Sequence, residues 1–360
     1  MCVLGQTYAT YVKCFLGEKM TVQRFITTER LDIYKKNLKV KPSQVMAAYH
    51  WNKALAGALL PAMQCLEVTL RNALNTAIQS FPPAGAKGLW DTNTNWVTSL
   101  PKYMGDTSIN PGERYQQARA KKDRRDAAGY KLDNWGNRIL ARKLTEENLV
   151  IAAKSQISKE GKKPTPDRII AGLTFGFWTT LLTDMYEDNQ SDRLLWPTLT
   201  THVFPNAPPG YTRADICKAF FQIKELRNRL SHHEAVWKFH QRNPVTGKTD
   251  YSKPVYGTQA SCSLLRKHYD DILEMIGWMS PDRKANFLSH SANLRFYALC
   301  SVDGLNSYIA PEKIKAQIKV SRGGKGISRL IKILEKNEFI RIVKDGQTLV
   351  TIGSDNSIMI

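Results

Sequence analysis

SQVMAAYHWNKALAGALLPAMQCLEVTLRNALNTAIQSF, residues 43–81, is the stretch on which the fold turns. Its apolar residues Val45, Tyr49, Leu55, Leu59, Met63, Leu66, Leu70, Leu74 and Ile78 recur mostly at steps of three or four. That is the period of one helix face, and no strand presents it. Pro61 lacks an amide hydrogen and crowds the carbonyl four residues back, so two consecutive helices are expected here. The expected fold class is mainly α.

On the C-terminal side, PPAGAKG (82–88) opens a polar, turn-rich loop that runs to about Glu113. From Ala118 to Lys143 basic residues crowd together: Arg119, Lys121, Lys122, Arg124, Arg125, Lys131, Arg138, Arg142 and Lys143, with Tyr130 and Trp135 among them. One reading is a solvated, partly helical face. The other is a patch that tracks a nucleic-acid backbone while Tyr130 or Trp135 stacks on a base. Two breaks follow, lysine- and proline-rich at 159–166 and FPNAPPGY at 204–211. Between them Asp167–Asp184 reads as helical, with FGFW (175–178) as core packing in preference to a stacking platform. An amphipathic helix is expected over 263–280 and another over 286–300.

The tail has a different texture. Short helices are expected at 311–319 and 327–336, then two β-rich runs, 339–344 and 348–352, around the Asp345-Gly346 pair. That order suits a winged-helix-like module or an accessory cap. The expected division is a helical region over 1–285 and a basic α+β appendage over 286–360.

Composition narrows the class of partner. Lys and Arg number 52 against 32 Asp and Glu, a net charge of +20, while 42% hydrophobic and 23% charged residues describe a folded chain. Such a field favours phosphate-rich partners. No apolar run reaches the ~20 residues of a spanning helix. MCVLGQTYATYVKCFLG at the start lacks a charged leading region, so a secretory signal is not expected. Six scattered cysteines without a CxxC read as free thiols of a cytoplasmic protein.

TRADICKAFFQIKELRNRLSHHEAVW, residues 212–237, carries the chemistry. Thr212 with Asp215 marks a helix start, and Ile216, Phe220, Ile223, Leu226 and Leu230 form its buried stripe. Within RNRLSHHE (227–234) every side chain except Leu230 can donate or accept a hydrogen bond. Arg227 could offer its fork of donors to a phosphodiester. A histidine could take the proton of a ribose 2′-hydroxyl or protonate the leaving oxygen, with Asn228 orienting either. On an ideal helix Arg227 lies ~140° from His232 and ~120° from His233. Either the arginine's length bridges that gap, the helix ends near His232, or a second copy completes the site. The competing reading is that both histidines are satisfied core or capping groups and Glu234 pairs with Arg227 or Arg229.

These residues resemble the Rx4–6H signature of HEPN-domain ribonucleases. LRNRLSHHEAV looks like the Abi-like (abortive infection, AbiD/AbiF-type) branch of that superfamily. YHWN (49–52), LEVTLRNAL (66–74), FGFW (175–178) and a helix with Tyr269, Ile276, Gly277 and Trp278 agree, in order, over residues 24–280. The resemblance implies a HEPN-like helical bundle, two units forming a composite cleft as a homodimer, and metal-independent RNA endonuclease activity against bacteriophage. It maps the catalytic residues onto Arg227, Asn228 and His232, with His233 fitting the longer spacing. Ala235 departs from the family's usual proline and is expected to alter the helix exit.

RNA is the expected partner, as substrate and as a small non-coding RNA that restrains the nuclease. Contacts are expected from Arg119, Lys121, Lys122, Arg124, Arg125, Arg138, Arg229, Arg322 and Lys325. No cofactor or metal is expected, since no Cys/His or carboxylate set has ligand spacing. The alternative is a non-catalytic RNA- or DNA-binding protein with a structural Arg/His motif. Membrane attachment is not expected, because the basic residues form no single amphipathic face. LRN (70–72) has no histidine after it and reads as structural, with Glu67 as the partner of Arg71.

Overall fold

A computed structural model describes residues 25–81, 96–99, 118, 122–139, 145–187, 194–244, 246, 248–289, 292–314, 317–318, 327–334, 340–344 and 347–352. The fold is mainly α. Arg119, Lys121, Arg322, Lys325, most of the 82–113 loop and the Asp345-Gly346 pair lie outside the described residues. No described helix is long and apolar enough to cross a membrane.

The first elements are α1 (Thr28–Leu38) and α2 (Val45–Ser80). All nine residues of the opening stripe are buried, from Leu55, Leu59, Leu66, Leu70 and Leu74 at 0% exposure to Tyr49 at 8%. The division expected at Pro61 does not occur: α2 is one helix of 36 residues. Pro61 deprives the Gly57 carbonyl of its partner, but Gly57 is exposed, so water can take that bond. A stripe buried on both sides of the proline outweighs its cost of about 3 kcal/mol.

The chain forms two compact units, interleaved in sequence. The first gathers described residues of 1–62, 229–270 and 287–360, the second those of 63–228 and 271–286. In the first unit Trp51 is fully buried and donates from its indole to the Leu299 carbonyl at 2.9 Å. Trp237 lies against it, with Tyr34 edge-on to Trp237 at 5.2 Å. Tyr269 stacks on Phe296 at 3.8 Å. In the second unit Phe175, Phe177 and Trp178 are all at 0% exposure, so FGFW is core. Phe175 and Phe204 both pack on Phe220.

Helices α3 (Thr145–Lys159), α4 (Pro166–Gly172) and α5 (Phe175–Thr180) precede α6 (Arg213–Ser231), and α7 (Thr258–Met279) covers the helix expected at 263–280. The helix expected across 286–300 is instead the end of α8 (Pro281–Leu288) followed by α9 (Ala292–Leu299), and α10 (Val302–Ile309) comes next. An antiparallel pair, β1 (His240–Arg242) and β2 (Thr249–Pro254), was not legible in the sequence. Its residues are too polar to alternate, and only Asn243-Pro244 and Gly247 mark the turn.

In the tail, the helix expected at 311–319 is a single tight turn, Pro311–Lys313, followed by β3 (Gln317–Ile318). Helix α11 (Ile327–Leu334) and the antiparallel hairpin β4 (Ile340–Lys344) and β5 (Gln347–Ile352) are present, and β3 adds to β4 in parallel. Proline at the head of that segment starts a turn, but the β-branched Ile318 and the pairing offered by β4 draw the chain into a strand.

Candidate functional site

Helix α6 begins as its sequence requires. The Thr212 amide and hydroxyl both donate to the Asp215 carboxylate, at 3.0 and 2.7 Å, and the Asp215 amide returns a bond to the Thr212 oxygen at 3.3 Å. That reciprocal cap holds the Asp215 carboxyl below its ordinary value, the Thr212 hydroxyl being the main cause. Ile216, Phe220, Ile223 and Leu226 are buried; Leu230 is half-buried.

The helix stops inside the motif. His233 adopts φ 54°, the left-handed region that a side chain tolerates poorly. Its amide donates to the Leu230 carbonyl at 3.2 Å, and the Glu234 amide donates to the Arg229 carbonyl at 2.9 Å. Those two bonds are a Schellman stop, with His233 where glycine is usual. His232 and His233 lie beyond the last helical residue, Ser231, so the angles of an ideal helix do not apply to them. Ala235, buried at 6%, follows the exit.

Several residues of the first unit hold this exit. The Asn52 side chain, 3% exposed, donates to the Glu234 carbonyl at 3.2 Å and accepts from the Val236 amide at 3.1 Å. Arg30 donates to the His232 carbonyl at 3.2 Å. Arg229 donates to the Lys238 carbonyl and lies over the Phe239 ring at 5.4 Å, which commits it to the turn. His232, His233 and Glu234 project into solvent. The histidines are therefore not core groups. Of YHWN, His50 is exposed and Asn52 is the working residue.

Asn52→Ala leaves the buried Val236 amide without an acceptor. A loss of about 1–3 kcal/mol is expected, read as a lower urea midpoint at unchanged m-value. The histidines remain present, so any fall in activity of the folded variant reports their misplacement.

In the second unit Arg227 is half-buried and its Nε lies 4.0 Å from a Glu67 carboxylate oxygen. Burial raises the Glu67 carboxyl above its ordinary value, opposed by Arg227, Arg71 and the Phe175 amide. The partner of Glu67 expected from i, i+4 spacing was Arg71. Arg71 instead reaches the Ala171 carbonyl at 3.5 Å. A carboxyl pKa raised by burial means that the contribution of Glu67 to stability is present at low pH and is lost as pH rises through its folded value. Glu67→Gln is expected to remove that component from the pH dependence of the unfolding midpoint. Asn228 is exposed.

A cavity of about 340 Å³ in the same unit is lined by Asn72, Phe81, His202 and Arg283, among others, and by none of the expected catalytic residues.

The described part of the basic tract, residues 122–139, contains no helix. Residues 122–139 fold into two successive tight turns joined by the bridges Arg125–Lys131 and Leu132–Arg138. Asp126 accepts from the amides of Ala128 and Tyr130, and Asp133 from those of Trp135 and Asn137, at 2.8–3.0 Å. Gly129 and Gly136 supply the positive φ each turn needs, 84° and 86°. The sequence signal is a short repeat, D-A-A-G-Y-K then D-N-W-G-N-R, that periodicity aimed at helices does not detect. Lys122, Arg124, Arg125 and Arg138 are exposed. Arg138 pairs with Asp126 at 2.5 Å and lies 4.5 Å over the Tyr130 ring.

Among the described residues no group of three or more His, Cys, Asp or Glu is placed to hold a metal ion. A protein-family model described as Abi-like protein matches residues 7–238, which include α1, α2, α6 and the whole Arg/His exit. No curated protein and no solved structure matches the chain.

Proposed function

The chain belongs to the Abi-like protein family, and from that membership and the exposed Arg/His exit we propose a metal-independent RNA endonuclease of HEPN type, acting in abortive infection by phage. The observation that carries the proposal is the Schellman stop. It turns a strained left-handed residue and four pinned backbone groups toward displaying His232 and His233, five and six residues after Arg227 in sequence, in solvent. Backbone strain of this kind persists where surrounding contacts impose it, and Asn52 and Arg30 do so here.

In the proposed reaction a histidine removes the 2′-hydroxyl proton, and the oxygen attacks the adjacent phosphorus. The P–O5′ bond breaks, a protonated histidine supplies the leaving oxygen with a proton, and a 2′,3′-cyclic phosphate remains. Arg227 stabilises charge on the non-bridging oxygens, with Asn228 orienting the phosphodiester. The ribose provides the nucleophile, so no metal-bound water is required. In this reading a second copy faces the first across a composite cleft, and the +20 charge gathers the RNA.

The experiment is RNA cleavage by the full chain in EDTA, compared with a variant carrying Arg227→Ala, His232→Ala and His233→Ala. Cleavage is expected from the first and not from the second. Equal cutting by both overturns the assigned site.

One observation favours a second reading, a binding protein without catalysis: Arg227 already has a carboxylate partner in Glu67. A phosphate would have to compete with it. Salt-dependent RNA binding with no cleavage by wild type, phage-infected extract included, supports that reading.

A further inference from the structure

Trp135 is the most exposed of the large apolar side chains described, at 85%. It belongs to no core and to no apolar patch: its neighbours in the turn are Asn134, Gly136 and Asn137. Yet its backbone is held firmly. The Trp135 amide donates to Asp133 at 2.9 Å, the Gly136 amide to the Asp133 carbonyl at 3.2 Å, and Arg124 donates to the Asn134 carbonyl at 3.1 Å. A rigid turn that presents an indole to water is a costly surface unless the indole has a partner.

Its surroundings define that partner. Arg124, which bonds the turn, is exposed, as are Arg125 and Lys122 in the same tract, and among the described residues no ion pair joins a carboxylate to Arg125 or Lys122. The acidic groups nearby are already engaged: Asp123 with Lys131 at 2.9 Å, Asp126 with Arg138, and Asp133 with its own turn. Tyr130, the other aromatic of the tract, is half-buried beneath the Arg138 guanidinium. An exposed aromatic face on a turn that Arg124 touches, in a tract with further exposed cations, suits a base with its flanking phosphates. A protein partner would call for apolar neighbours that this turn lacks.

We propose that Trp135 is a stacking platform for one unpaired base of a single-stranded RNA, with Arg124, Arg125 and Lys122 engaging the adjoining phosphates. The platform rests on the RNA reading above and lies outside the Arg/His exit. It selects single strands, because the bases of a duplex are stacked on one another and offer no free face.

The test uses the full chain and a fluorescein-labelled single-stranded 2′-O-methyl oligonucleotide, which cannot be cut by 2′-hydroxyl attack, read by anisotropy across a salt series. Trp135→Ala is expected to weaken binding roughly tenfold while leaving the salt slope unchanged, since no charge is removed. Trp135→Phe keeps a ring and is expected to retain most of the affinity. Arg124→Ala with Arg125→Ala is expected to lower the slope by about one to two. Affinity for the duplex form is expected to be indifferent to Trp135→Ala. If wild type binds and Trp135→Ala binds equally well, the platform is overturned and the RNA reading stands. If wild type does not bind at all, the RNA reading falls and takes the platform with it.

Discussion

Cleavage by the His232→Ala variant is expected to fall about a hundred- to ten-thousand-fold, the range for loss of a positioned general acid or base. Folding is expected to be unaffected, because the His232 side chain is exposed and the exit is held through backbone groups: its own carbonyl by Arg30, and the Leu230 and Arg229 carbonyls by the next two amides. His233 needs a different control. Its φ of 54° is strained for any side chain, so His233→Gly is expected to be at least as stable as wild type, by up to about 1 kcal/mol. A fall in activity in that variant cannot then be ascribed to unfolding. His232→Ala is expected to lose more activity than His233→Gly. The reverse order would make His233 the principal group, and full activity in both would leave the exit without a chemical role. Arg227→Lys is expected to lose activity too, since a single ammonium cannot reproduce the guanidinium fork.

Trp51→Ala is expected to cost about 3–5 kcal/mol, the range for a large aromatic removed from a packed core. The residue is fully buried, its indole is bonded to the Leu299 carbonyl, and its ring backs Trp237, four residues beyond His233. Urea unfolding followed by far-ultraviolet circular dichroism measures the loss. Trp51→Phe removes the indole bond but keeps most of the ring, so a clearly smaller loss is expected. Equal losses in both would mean that the Leu299 bond, and not the packing, carries the energy.

Much of the fold was legible because helices bury stripes. The residues spaced along α2 and α6, Leu230 at the end of α6 excepted, are buried where their period requires, and Thr212 with Asp215 makes the cap its spacing announces. Where the sequence misled, a contact distant in the chain decided. Pro61 does not divide α2, because burial on both sides outweighs one lost bond. The segment after Pro311 becomes a strand, because β4 offers it a ladder. One of the two readings of the 118–143 tract was a partly helical face, but in residues 122–139 paired Asp and Gly positions make turns.

The candidate site divides in the same way. Arg227, Asn228, His232 and His233 stand out by residue type. What holds and modulates them was not visible at that level. Asn52 reaches the exit from α2, and Glu67 pairs with Arg227 from the same helix, both across long loops of chain. A helix end near His232 was one of three alternatives the residues left open, and it stayed open because histidine occupies the position where glycine would have announced the stop.

Whether the ribose is the nucleophile is read from the ends of the RNA fragments that the full chain releases in EDTA, identified by mass spectrometry. Attack by the 2′-hydroxyl is expected to leave 2′,3′-cyclic phosphate and 5′-hydroxyl ends, and to make no cut at a position carrying a 2′-deoxy or 2′-O-methyl ribose. Fragments ending in 3′-hydroxyl and 5′-phosphate, or cleavage 3′ of a deoxyribose, would contradict it.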